Sequence, residues 1–168
     1  MMADSTARYA RDNGAWFLKL SGDLRHALAP AVNALLDRAF ADPAFQCCVI
    51  DMTAVDMIDS TCLGVLARIA NHHQAVGLEQ PTIIAPNADV TLLLASVCFD
   101  QMFHLEPAAA EPGTPLEQVP PVEVSKDDAR ALVLEAHRRL CAIDARTHDA
   151  FKDLVAALES AQRPRDGQ

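Results

Sequence analysis

Asp59-Ser60-Thr61, set just ahead of the apolar run Cys62-Leu63-Gly64-Val65-Leu66, places a carboxylate and two hydroxyls where a helix should begin. Unpaired N–H groups and the positive end of the helix dipole meet at such a point. In most sequences a trio of this kind simply supplies the N-cap, here through Asp59 or Ser60. The chemical alternative is a phosphorylatable hydroxyl held rigidly at a helix start. Asp51 and Asp56 lie upstream in the same stretch, and an added phosphate would bring about −1.5 to −2 charges beside them.

Other constellations lead nowhere comparable. Cys47 and Cys48 are adjacent in a strand-like run, face opposite sides and cannot ligate one metal together. They read as core thiols. His72 and His73 sit about 100° apart on a helix, with no second ligand pair at zinc spacing, and read as solvated helix-end residues. No metal and no cofactor is expected. Ser60 as a catalytic nucleophile would need a positioned base, and no motif places any of the six histidines there. No glycine loop of the phosphate-cradling kind occurs. An enzyme is not expected.

These residues need a frame. Asp12-Asn13-Gly14 between two β-prone runs predicts a hairpin, since Asn-Gly tolerates the positive φ of a type I′ turn. Gly22 should then break the second strand. Val32, Leu35, Leu36, Ala39 and Phe40 recur on one helical face after Pro30, and Asp42-Pro43 stops that helix. Cys47 to Met52 reads as a strand covered on both faces, ending at Asp51 in a loop that leads to a helix over 60–76. Thr82 to Ala85 is a further buried strand. Asn87 can cap a helix carrying Val90, Leu93, Leu94 and Val97, and residues 102–105 offer a last short strand. Strands separated by single helices imply βαβ units. The predicted class is α/β: a mixed sheet with an N-terminal antiparallel hairpin and packed helices.

Beyond residue 106 the composition changes. Five prolines between Pro107 and Pro121 mark a linker over 107–124, partly extended and imposing little geometry. Ser125, with Asp128 three residues on, opens a helical extension over 125–162, and a disordered tail is expected over 163–168. Apolar positions recur at Ala129, Leu132, Val133, Ala136, Leu140 and Ile143, then at Phe151, Leu154, Val155 and Leu158. The register passes through Thr147 without a breaker, which favours one long helix over a hairpin bent around 144–147, although Thr147 could cap a second helix. A single helix would be too long for its own domain to cover, so its seam should meet a second copy, as a homodimer, or a partner.

Charge narrows the partners. The chain has 14 Lys and Arg against 23 Asp and Glu, a net charge of −9. Between Arg38 and Lys126 only Arg68 is basic, so the body cannot neutralise a row of phosphates and no nucleic acid is expected. No apolar run reaches the roughly 20 residues of a membrane helix, and the extension's polar face mixes signs, so no membrane is expected either. The first residues lack the basic start of a signal peptide, and five cysteines read as reduced thiols. A cytoplasmic protein is expected.

One resemblance gathers these marks. Val49-Ile50-Asp51, followed eight residues later by Asp59-Ser60-Thr61-x-Leu63-Gly64, together with Gly22-Asp23-Leu24, resembles a STAS domain, and within that class a bacterial anti-sigma factor antagonist. Pro81-Thr82-Ile83-Ile84 and the Asn87-x-x-Val90 helix leading to Phe99 support it, and the resemblance covers roughly residues 5 to 106. It implies that Ser60, rather than its neighbour Thr61, is phosphorylated by an anti-sigma factor that is also a serine kinase, and released by a PP2C-type phosphatase. It also implies that the unphosphorylated form binds and sequesters the anti-sigma factor through Asp23, Asp56, Asp59, Ser60, Thr61, Leu63 and Gly64. A STAS subunit of another transport or signalling complex, with no switch at Ser60, is the alternative. Cys62 stands where many members have glycine, and Arg25 where many have Asp or Asn, which changes the charge a kinase partner meets.

Overall fold

The computed structural model describes residues 4–108 and 111–163. The expected tail beyond residue 163 lies outside them. β1 (Thr6–Asp12) and β2 (Ala15–Leu24) form the antiparallel hairpin, in register from Thr6↔Ser21 to Asp12↔Ala15. The turn is tight because Asn13 and Gly14 both take positive φ, 49° and 88°. Gly14 is also pressed on the carbonyl of Ala44, where a Cβ would come within 1.8 Å.

β2 alternates cleanly, burying Trp16, Leu18, Leu20 and Leu24 against the helices and turning Phe17, Lys19, Ser21 and Asp23 to the other face. Gly22 does not end this strand. It sits inside it at φ 82°, beside two register shifts against β3 (Cys47–Ile58). Each shift places one extra β3 residue opposite β2, so the buried set slips from Ile50 and Met52 to Val55 and Ile58. That slip hides the strand's alternation, and explains why Asp51 looked like its end. The strand continues to Ile58 and delivers Asp59 directly to the next helix.

α1 (Ala29–Ala41) opens with proline in its first turn and packs Val32, Leu35, Leu36 and Ala39 into the core. α2 (Ser60–Ala75) buries Leu63, Val65, Leu66 and Ile69 beside it. β4 (Thr82–Ile84), α3 (Ala88–Ser96), the short α4 (Phe99–Met102) and β5 (His104–Glu106) follow. α3 is capped as expected, by the Asn87 side chain accepting from Asp89 N. Parallel pairings β2–β3–β4–β5 complete the mixed sheet.

Past residue 106 the structure departs from expectation. The proline-rich stretch contributes β6 (Glu117–Gln118), which pairs antiparallel with Arg8 and Tyr9, giving the order β5-β4-β3-β2-β1-β6. Val119 is buried and donates its N–H to Ala7 O. Residues 107–124 are thus partly built into the sheet. The extension is a hairpin of α5 (Lys126–Cys141) and α6 (Ala145–Gln162), not one helix. Asp144 caps α6 through Arg146 N, and the Thr147 hydroxyl accepts from Asp144 N in return. This local reciprocity breaks the register without proline or glycine. Ser125 caps α5 by accepting from Asp128 N, as its sequence suggests. α5 packs along α2, so its seam of Leu134, Ala136 and Leu140 is covered by the chain's own body.

Candidate functional site

Parallel strands β2 and β3 end side by side, with Asp23 opposite Met57 and Leu24 opposite Ile58. The turn after β2 and the start of α2 therefore meet at one end of the sheet. Asp59 binds them together. Its N–H donates to Leu24 O at 2.9 Å. One carboxylate oxygen accepts from Cys62 N at 2.9 Å, the other from His26 N at 2.6 Å. Cys62 adds a thiol contact to Arg25 O at 3.2 Å, and burial pushes that thiol's pKa up. Asp59 is thus the N-cap of α2 and the anchor of the preceding turn. His26 Nδ1 lies 3.9 Å from the same carboxylate.

Ser60 is the first residue of α2 and is half-buried. Its Oγ lies 2.8 Å from Nε2 of His137, on α5, 77 residues away. His137 is only 3% exposed, and its Nδ1 faces Val133 O at 2.6 Å. A carbonyl can only accept, so Nδ1 carries a proton, and in the neutral ring Nε2 accepts from the Ser60 hydroxyl. No sequence motif pointed to this histidine. The signal available was a polar residue inside the apolar stripe of Val133, Ala136 and Leu140. A serine bonded to a neutral imidazole is half of a nucleophile–base arrangement. The third group here is a neutral backbone carbonyl, where a carboxylate would stabilise the imidazolium.

The remaining residues expected at the site separate into three groups. Asp23 is half-buried, with Arg25 Nη2 3.8 Å away, and Asp56 is exposed next to Met57, which is 60% exposed. These share the sheet end with Ser60. Thr61 and Leu63 are buried, Leu63 within the hydrophobic core. Gly64 lies under α5, where a Cβ would stand 2.3 Å from Ala136 O. Thr61, Leu63 and Gly64 therefore offer no surface while the hairpin is docked. Asp51 is not at this end at all. Its carboxylate accepts from Thr53 N and lies 3.8 Å from Lys19 Nζ, in mid-sheet. Seven strand residues separate it from Asp59, roughly 20 Å or more.

The histidine pair on α2 is not simply solvated: only His72 keeps partial exposure. His73 is buried, bonds Glu79 O through Nδ1 at 2.6 Å, and has its pKa lowered by burial. His72 stacks on Phe40 with ring centroids 4.1 Å apart. Among the described residues no three His, Cys, Asp or Glu side chains converge as metal ligands, and no helix is long and apolar enough to cross a membrane.

Comparison with known proteins agrees with this architecture. The unphosphorylated anti-sigma factor antagonist SpoIIAA aligns at a TM-score of 0.51 and 14% identity, covering 63% of this chain and 90% of its own. The phosphorylated Bacillus SpoIIAA aligns at 0.50 and 13%, covering 59% and 89%. An anti-sigma factor antagonist from Mycobacterium paratuberculosis shares 21% identity over 79% of this chain and 98% of its own, at 0.46. For the two SpoIIAA structures the likeness is one of fold. No curated protein matches the sequence significantly. The STAS domain family model matches residues 7–111, which takes in β1 to β5, α1 to α4 and the junction that carries Ser60, so the chain belongs to the STAS domain family.

Proposed function

We propose that the chain is an anti-sigma factor antagonist controlled by phosphorylation of Ser60. The unphosphorylated form binds and sequesters an anti-sigma factor with serine kinase activity, phosphorylation weakens that complex, and a PP2C-type phosphatase restores it. The observation that carries the reading is the placement of Ser60. It is the first residue of a helix fixed by the Asp59 cap, at a sheet end that also presents Asp23, Asp56 and the exposed Met57. Backbone N–H groups at that helix start favour an anion, so a phosphate can be held without unfolding the domain. A partner shaped for a neutral hydroxyl would then meet bulk and up to two new negative charges. The role of the fold's named relatives is consistent with this reading.

The contact from His137 favours a second reading, in which Ser60 is a structural hydroxyl in a STAS subunit of another complex. Intact mass and phosphopeptide mapping of the chain from its own cells separate the two. The switch predicts a phosphate on Ser60, lost in Ser60→Ala, with Ser60→Ala constantly partner-bound and Ser60→Asp bound more weakly. Modification confined to Thr61, or absent while the chain cycles on and off its partner, would sink the first reading.

A further inference from the structure

The contact between α2 and α5 is built to be close yet is imperfectly satisfied. Gly64 lets the α5 backbone at Ala136 approach to where a Cβ would collide. Four residues before Gly64 on α2, and one residue after Ala136 on α5, the Ser60 hydroxyl is spent on His137. Against these gains, Arg139 of α5 buries Nη1 with no hydrogen-bond partner among the described residues, and the like charge of Arg68 on α2 opposes what Glu135 and Asp37 give it. An unpaired buried guanidinium nitrogen favours release, since water would satisfy it. The second helix is held at few points: Thr147 is buried, Phe151 packs against the core beside the His137 ring, and Arg146 Nη2 donates to Cys98 Sγ at 3.2 Å. The hairpin is joined to the sheet by the stretch 120–124, which is exposed throughout.

We propose that the α5–α6 hairpin is a releasable cover for Ser60, and that its docking and phosphorylation of Ser60 exclude one another. The inference rests on Ser60 being the modified residue. In the transfer, Oγ forms a bond to the γ-phosphorus of a nucleoside triphosphate, the bond to the leaving diphosphate breaks, and the hydroxyl proton passes to a general base of the kinase. That proton is the one His137 Nε2 accepts. Its loss removes the bond, and the phosphoryl group takes the direction the imidazole now fills across 2.8 Å. Phosphate oxygens would also face the ring's lone pair. By linkage, the factor by which phosphorylation weakens docking is the factor by which docking disfavours the phosphorylated form at equilibrium. An anti-sigma factor that grips the start of α2 must displace the same helix, so the hairpin sets a threshold for partner binding.

Hydrogen exchange on the full chain tests this without a partner. Three proteins are compared: the unmodified chain, the chain with phosphoserine installed at position 60 during translation, and Gly64→Ala. Alanine favours the helix of α2 but collides with Ala136. Both altered chains should exchange amides over 132–140 at least tenfold faster than the unmodified one, while β2 and β3 keep their protection. A phosphoserine chain with unchanged protection through α5 would overturn the proposal. If Gly64→Ala unfolds entirely, β2 and β3 reveal it, and the phosphoserine chain decides alone. Absence of phosphate in cells would defeat the functional reading and leave this measurement standing, whereas retained protection does the reverse.

Discussion

Replacing Asp59 by alanine removes two hydrogen bonds at once, and their sum can be worked from the geometry. The bond from Cys62 N is an N-cap, whose loss costs about 1 kcal/mol. The bond from His26 N at 2.6 Å ties the β2–α1 turn to α2 and is charge-assisted, ordinarily about 1.5 to 3 kcal/mol. The side chain is 33% exposed, so water replaces part of it, and about 1 kcal/mol is the fair share. Asp59→Ala should therefore lose about 2 kcal/mol. For a chain of this length that lowers Tm by roughly 4 to 8 °C. Asp59→Ser keeps a cap and gives up the tie to His26, so it should recover about half. Asp59→Asn keeps one oxygen but turns an NH2 toward another N–H, and should fall nearer to alanine. Urea unfolding followed by circular dichroism supplies the free energies, provided the slope with denaturant is unchanged. If Asp59→Ala lies within about 0.5 kcal/mol of the parent at the same slope, Asp59 is not the anchor described and the rigidity of the Ser60 junction has another source.

Thiol reactivity should follow burial: native alkylation at mild alkaline pH should mark Cys47 and Cys141, which are partly exposed, and spare Cys98, Cys48 and Cys62. Burial lifts the Cys48 thiol to about 12 and raises that of Cys62, so peptide mapping that found either among the fastest sites would contradict the packing. Stability should also depend on His73, whose pKa burial lowers in the folded state, while the Glu79 carbonyl offsets part of the effect. The unfolded chain takes its proton near pH 6.5, so the stabilisation is complete above that pH and is lost as pH falls below it toward the folded value. His73→Phe should flatten the decline in denaturant midpoint between about pH 6.5 and 5, and parallel curves would refute the assignment.

Local signals were legible and long-range ones were not. Asn13-Gly14, Asn87 and Ser125 announced a turn and two caps because the physics of each is contained in a few neighbouring residues. β3 reads short in the sequence because two bulges shift its buried phase, and periodicity assumes a constant phase. The turn at 144–147 was readable only as an alternative: its stop is a reciprocal pair of hydrogen bonds, invisible to a search for breakers. α4 follows Cys98 at φ 62°, a backbone setting a cysteine does not advertise. At the site, Asp59 and Ser60 were visible as a helix start. His137 was not, since nothing local reports a bond spanning 77 residues.

The pairing of β6 with β1 bears on where this chain can be shortened. β1 is the outer strand of the hairpin, and its free side would present unpaired N–H and C=O groups to any other extended chain. Glu117 and Gln118 occupy that side at Tyr9 and Arg8, Tyr9 Oη donates to Glu117 at 2.9 Å, and Val119 closes the row against Ala7. Cutting at the composition boundary near residue 107 would strip this border, along with Val119 and Leu140 of the core, leaving a naked strand that invites self-association. Cutting after residue 120 would keep the border and remove only the helical hairpin. Any truncated form that clumps should be judged first by which side of Val119 its last residue falls on.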